Sequence, residues 1–300
     1  MALLGMVMLG SAWALPLQAA ALPTPEARLK QAIELLQPSE CEYYMTLRHA
    51  SPGLGDDGSF QTLFVAKKRA DQWAVMQVGP PDLKGRSLLR QGSGFWTRFP
   101  AELKSRPVKG EGTFLGGVIS NRDLFPLLLE QGKVKRVAPP KDTRKAKKPK
   151  DLSDEELLVN NERFGMLLET GHIRVRQNRG QPVMVLEDAI PPQDLLEITP
   201  GTGQVIDGYS RGLLSMDRES GRPRQLQLFD QRNRLSRLIT YEGMKTLDDG
   251  RPHATIIKVH NGTNRGYKSE LRLGSLRCSV LPAAAFTPQQ LPQLGKLLLR

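Results

Sequence analysis

The sequence predicts an α+β chain that is mostly β, built on one antiparallel sheet long enough to close into a barrel or to leave an apolar hollow. Three observations predict it. Apolar residues recur at every second position in short runs along most of the chain, and breaks such as SPGLGDDG and GPPDLKG separate those runs at hairpin spacing. Few stretches show a helical period, too few to cover so much sheet. The 300 residues, 39% hydrophobic and 25% charged, are globular in composition, and the formal charge of +12 favours anionic company: nucleic acid, acidic protein or anionic lipid.

The chain opens on MALLGMVMLGSAWALPLQAAALPTP, an uncharged apolar run that reaches the small-residue sites Ala12-Trp13-Ala14 and Ala19-Ala20-Ala21. That pattern predicts an export signal over residues 1–21, cut after Ala21, the alternative being a short uncleaved apolar segment. Pro16 and Gln18 leave the run shorter than the roughly 20 residues a bilayer requires. Export places the mature chain, residues 22–300, outside the cytoplasm and removes nucleic acid as its usual partner.

In PEARLKQAIELL, Ala27, Leu29, Ala32, Ile33 and Leu36 fall near helical spacing, with Pro38 and Ser39 ending the helix. The period then changes to two: CEYYMTLRH, SFQTLFVAKKR, DQWAVMQV, RSLLRQ and FWTRFP read as strands of a meander. A second helix is expected at SNRDLFPLLLEQG, with Ser120 as its cap and Asp123 completing the capping box. Residues 133–150, KVKRVAPPKDTRKAKKPK, hold nine cations and three prolines and predict a mobile basic loop, either solvated or touching an anionic surface. DLSDEELLVNNERFGMLLE reads as a further helix, and from His172 onward strands return through YKSELRLGSLRCSV. In RQLQLFD, Leu226 and Leu228 share one face and Gln225 and Gln227 the other. Thr287 is placed to cap the tail PQQLPQLGKLLLR.

Cys41 and Cys278 lie in no zinc pattern; their even count permits one disulfide between the first and last predicted strands, or two separate thiols. Gly208-Tyr209-Ser210-Arg211-Gly212 matches a nucleophile elbow, with Asp248 and His253 following, but GLLSMDRESGRP after it reads as a strand and hairpin, not the helix an elbow requires. His49, His172, His253 and His260 are scattered and read as surface or edge-strand residues. GEGTFLGG lacks the Lys-Ser/Thr of a phosphate loop. No metal and no cofactor are expected.

The order of short motifs then becomes informative. Gly85-Arg86-Ser87-Leu88-Leu89-Arg90, Trp96 to Pro100, Gly116-Gly117 and Ser120-Asn121-Arg122-Asp123-Leu124 follow one another, and Gly221-Arg222-Pro223 and Asp230 to Leu235 come later between apolar runs. This succession, over most of residues 40–275, resembles the outer-membrane lipoprotein-sorting proteins, the LolA-like periplasmic carriers. The resemblance implies a half-open antiparallel β-barrel with helices covering its concave mouth, binding acyl chains without catalysis or cofactor. It also implies a monomer working between an inner-membrane exporter and an outer-membrane acceptor. The residues expected to line the hollow, or to pack beneath the helices, are Trp73, Leu88, Trp96, Phe99, Phe114, Leu214, Met216, Leu226 and Leu228. Arg86, Arg90 and Arg98 are expected at its rim, near headgroups. The basic segment departs from the family's pattern and admits a specialised cargo. The competing functions are an envelope sensor or protein-interaction domain on the same scaffold, and a hydrolase at Ser210.

Overall fold

The computed structural model describes residues 22–36, 40–50, 60–138, 173–178, 181–186, 193–263, 267–278 and 280–294. Helix α1 (Pro25–Leu36) starts where Thr24 Oγ1 accepts the Ala27 N–H, with Pro25 in the first turn, where its missing N–H is harmless. Leu29, Ala32 and Leu36 form its buried stripe.

Strands β1 (Cys41–Ala50), β2 (Phe60–Arg69), β3 (Gln72–Gly79), β4 (Ser87–Gln91), β5 (Gly94–Arg98) and β6 (Arg106–Val108) follow, each antiparallel to the next. After the short α2 (Leu128–Gln131) come β7 (Lys133–Val137) and a separate hairpin of β8 (Ile173–Asn178) and β9 (Gln181–Leu186). The second half is β10 (Gln193–Thr199), β11 (Arg211–Asp217), β12 (Pro223–Phe229), β13 (Leu235–Thr246), β14 (Pro252–Asn261) and β15 (Lys268–Cys278). Thirteen strands join in one sheet, ordered β6-β5-β4-β3-β2-β1-β15-β14-β13-β12-β11-β10-β7. Its middle is the β1–β15 pair, where Cys41 lies opposite Cys278 and the two are disulfide-bonded.

The sheet has two edges, β6 and β7, so its backbone ladder does not close. It is nevertheless curled. Arg90 on β4 forms two hydrogen bonds, of 3.0 and 2.7 Å, with the carboxylate of Asp207, just before β11. Those strands stand eight places apart in the sheet order, roughly 38 Å if the sheet were flat. Only a sheet rolled most of the way round brings them together, an architecture consistent with an open barrel.

Local expectations meet four corrections. Residues 133–137, read as the start of a mobile loop, form β7: Val134 packs against the core, Lys133 and Lys135 point outward, and Lys135 pairs with Glu197 of β10 at 2.7 Å. Residues 120–127 form turns, because the Asp123 carboxylate is drawn to distant partners and Ser120 Oγ caps nothing; helix begins only at Leu128. Thr287 closes a 3-10 turn by donating to the Ala284 carbonyl instead of opening a helix. His253 and His260 are buried in β14, an interior strand, not on a surface or edge. The expected signal at 1–21, His172, residues 139–150 of the basic run and the helix expected within 151–169 lie outside the described residues.

Candidate functional site

Strand alternation sorts the sheet's side chains into two faces. Tyr43, Met45 and Leu47 of β1, Leu63 and Val65 of β2, Trp73 and Val75 of β3 and Leu88 of β4 enter one cluster, and Leu214, Met216, Leu226 and Leu228 join it from the far half. This is the inner face of the curl. The outer face carries a smaller cluster, in which Phe64, Ala66, Ala74 and Leu89 are covered by Leu281, Phe286, Leu291 and Leu294 of the C-terminal segment.

The inner face is roofed by α1 and by residues 109–132, a strap that runs from one sheet edge, β6, to the other, β7. Leu115, Ile119, Phe125 and Leu128 of the strap and Leu29, Ala32 and Leu36 of α1 belong to the same apolar cluster as the strands beneath them. Phe125 packs edge-on against Trp73, with ring centroids 5.3 Å apart.

Polar clamps hold the strap down. Asp123 accepts hydrogen bonds from the Tyr209 hydroxyl, from Arg237 Nε at 2.8 Å and from the Ser120 N–H at 2.8 Å. Burial, reinforced by that carboxylate, pushes the Tyr209 phenol well above its ordinary range. Asp207, held by Arg90, accepts the Leu127 N–H at 3.1 Å. His49 of β1 and Gln61 of β2 both reach the Leu115 carbonyl, at 2.9 and 3.0 Å. Two glycines are required here. Gly208 has φ +75° and a Cβ on it would stand 2.2 Å from Arg122 Nη1, while Gly117, at φ +61°, lies under the His49 ring, 2.1 Å from where a Cβ would be. For α1 the clamp is Asp194, buried among Arg28, Arg136 and Arg218 at 3.2, 3.3 and 3.7 Å. Among the described residues, the strap's ties over 109–127 to the strands beneath it run through side chains, not through the backbone ladder.

Between roof and sheet lies a small cavity of about 30 Å³. Its walls are almost wholly apolar: Leu36 of α1, Leu124, Phe125 and Pro126 of the strap, Tyr43 and Met45 of β1, and Ile239, Tyr241, Ile257, Val259, Leu271 and Leu273 of β13 to β15, with Asp123 the charged exception.

Of the residues singled out from sequence, Trp73, Leu88, Leu214, Met216, Leu226 and Leu228 lie in the inner-face cluster and Phe114 packs against it, but none of them borders this cavity. Trp96 is on the outer face, because it alternates with Phe95, whose side chain points inward. Phe99 stands beyond β5 beside Arg86 and Arg106, with guanidinium carbons 4.8 and 5.1 Å from its ring centroid. Arg90 is not at a rim; it is fully buried and committed to Asp207. Arg98 is half-buried and donates to the Glu102 carbonyl. The cavity-lining residues of β1 and of β13 to β15 were signalled by their alternation, which carries no information on which face is inside. Ser210 donates to the Asp230 carbonyl at 2.5 Å and leads into β11, so the elbow geometry is missing.

A family model described as "Uncharacterized protein" matches residues 187–293. Comparison with curated proteins finds no match. Among solved structures, a LolA superfamily protein from Nitrosomonas europaea aligns with a TM-score of 0.62 at 17% identity, over 88% of this chain and 98% of its own. A putative outer membrane lipoprotein-sorting protein domain from Vibrio parahaemolyticus gives 0.59 at 14% identity, over 89% and 98%. A DUF1329 family protein from Desulfovibrio piger gives 0.56 at 15% identity, over 88% and 97%. At such identities the likeness is one of fold, an open, mostly β antiparallel architecture shared with LolA superfamily and lipoprotein-sorting proteins.

Proposed function

We propose that this chain is a periplasmic carrier that takes acyl chains, of a lipoprotein or of another lipid, between its roof and the inner face of its sheet and moves them towards the outer membrane. The observation that carries the reading is the construction of the roof: α1 and the strap cover a continuous apolar face but are tied to it by side chains, so they can lift without breaking a strand ladder. The existing cavity of about 30 Å³ is a closed state, and loading exchanges roof contacts for lipid contacts. Each Å² of apolar lipid surface removed from water contributes about 25 cal/mol, so two acyl chains are held firmly without a covalent step.

On this reading the chain is a binding protein and not an enzyme. It is exported by residues 1–21 and folds as one unit from residue 22. As a monomer, it receives cargo from an inner-membrane exporter and yields it to an outer-membrane acceptor. Native mass spectrometry with lipid extraction, on protein purified from the periplasm without detergent, tests it. Lipid or acylated protein near one per chain is the expected result. A bare mass, with no uptake of an added neutral apolar dye, would overturn the carrier reading and favour an interaction domain.

A further inference from the structure

Charged clamps hold the strap at Asp123 and Asp207, but among the described residues its stretch 115–118 is held by one titratable side chain, His49. His49 follows Tyr43, Met45 and Leu47 at two-residue spacing on β1 and so stands on the inner face, beneath the strap. It is half-buried, so a proton can reach it.

Both ring nitrogens are engaged. A carbonyl can only accept, so Nε2 carries the hydrogen that points at the Leu115 carbonyl, 2.9 Å away, and Nδ1 is bare and accepts the Ser269 hydroxyl at 2.8 Å. Ser269 is fully buried, and its oxygen in turn accepts the Val118 N–H at 3.4 Å. The strap is thus joined to the ring twice, directly at Leu115 and through Ser269 at Val118. Gly117 lies against the ring between these two points and leaves no room for a side chain.

A proton on Nδ1 undoes this arrangement. The acceptor becomes a donor, and the Ser269 hydroxyl hydrogen loses the acceptor it has among the described residues. The cation also stands without an anion. Gln61 of β2 and Ser269 of β15 are neutral; Arg48 on β1 and Lys268 and Glu270 on β15 alternate to the outer face. The strap's own carboxylates, Glu111 and Asp123, are engaged by Arg122 and Arg237. Burial holds the imidazole below its ordinary 6.5, against the opposing pull of the Leu115 carbonyl. Once the strap lifts, the ring meets water and titrates near that ordinary value, so the open state takes the proton more readily than the closed one. Above about 6.5 the closed roof keeps its full stability, and it loses stability as pH falls from there.

We propose, resting on the carrier reading for what lies beneath the roof, that His49 is an acid-sensitive latch: when its ring takes up a proton it releases residues 115–118, and the strap opens. Cargo is then held more firmly at neutral pH than in mild acid.

The test is amide exchange of the full chain between about pH 7.5 and pH 5.5, each rate divided by the intrinsic rate at that pH, in wild type and in His49→Gln, whose neutral amide keeps one donor and one acceptor. Protection over 112–119 should fall roughly fivefold in wild type relative to Tyr43–Leu47 of β1, and stay within about twofold in His49→Gln. Release of a bound neutral apolar dye should quicken over the same range in wild type alone. Proton NMR of the imidazole in wild type supplies a reading that needs no variant: His49 should titrate below 6.5. A flat wild type, an equal loss in His49→Gln, or a His49 ring titrating at 6.5 or above would overturn the latch and leave the carrier standing. A strap that loosens in acid while no dye binds at either pH would uphold the latch and overturn the carrier.

Discussion

At the scale of single residues, Lys67 ties stability to pH. Its amine titrates near 8 in the folded chain and near its ordinary 10.5 when unfolded. Between those values the unfolded state binds the extra proton, so stability rises with pH across that window; below about 8 the folded state carries the full desolvation penalty. The shift corresponds to something of the order of 3 kcal/mol. Urea midpoints of wild type and Lys67→Met should therefore converge, or cross in favour of wild type, between pH 8 and 10.5, and a difference that stays flat would show that the amine is not desolvated. Gly208 makes a separate demand. Replacing it with Ala forces a side chain into the left-handed region and displaces Arg122 from the Tyr209 ring, 4.8 Å away. We expect Gly208→Ala to lose about 1–3 kcal/mol, read as a lower thermal midpoint; an unchanged midpoint would mean that Arg122 yields freely.

At the scale of elements, the strap is the part that answers to mutation. Asp207 ties Arg90 of β4 to the Leu127 N–H, and it adopts φ +54°, which Asn tolerates as well as Asp. Asp207→Asn therefore removes the charge while keeping the turn. It should leave the guanidinium buried without its anion, at a loss of roughly 3 kcal/mol, with faster amide exchange over 120–131 than over β1. Equal exchange in both elements would mean that the clamp does not hold the strap. The strands were legible in the sequence because alternation and turn residues are local properties. The strap was not, because its glycine-rich course has no period and is ordered by His49, Arg237 and Tyr209, residues far away in sequence. Asp123 illustrates the difference: its spacing from Ser120 suggests a capping box, and of that box only the Ser120 N–H to carboxylate bond survives, inside a tertiary clamp.

At the scale of the whole molecule, the sheet's curl decided which sequence expectations could be met. Which residues are apolar is visible along the chain, but which face is inside depends on partners that only the rolled sheet supplies. Hence Trp96 and Phe95, adjacent and equally aromatic, end on opposite sides, and Arg90, a cation that composition alone places at a surface, is sealed in by a residue 117 positions away. The β1–β15 pair has a further consequence, for how the molecule comes into being. The two strands at the centre of the sheet carry cysteines that stand 237 positions apart, so β1 presents an unpaired side until β15 has been made. Every hairpin on either flank can form as it emerges, yet the two half-sheets have no common middle until then. A chain made from its N-terminus thus holds its first wing without a partner until the last strand is complete. The exposed side of β1 is then the place where a chaperone would act, or where aggregation would begin.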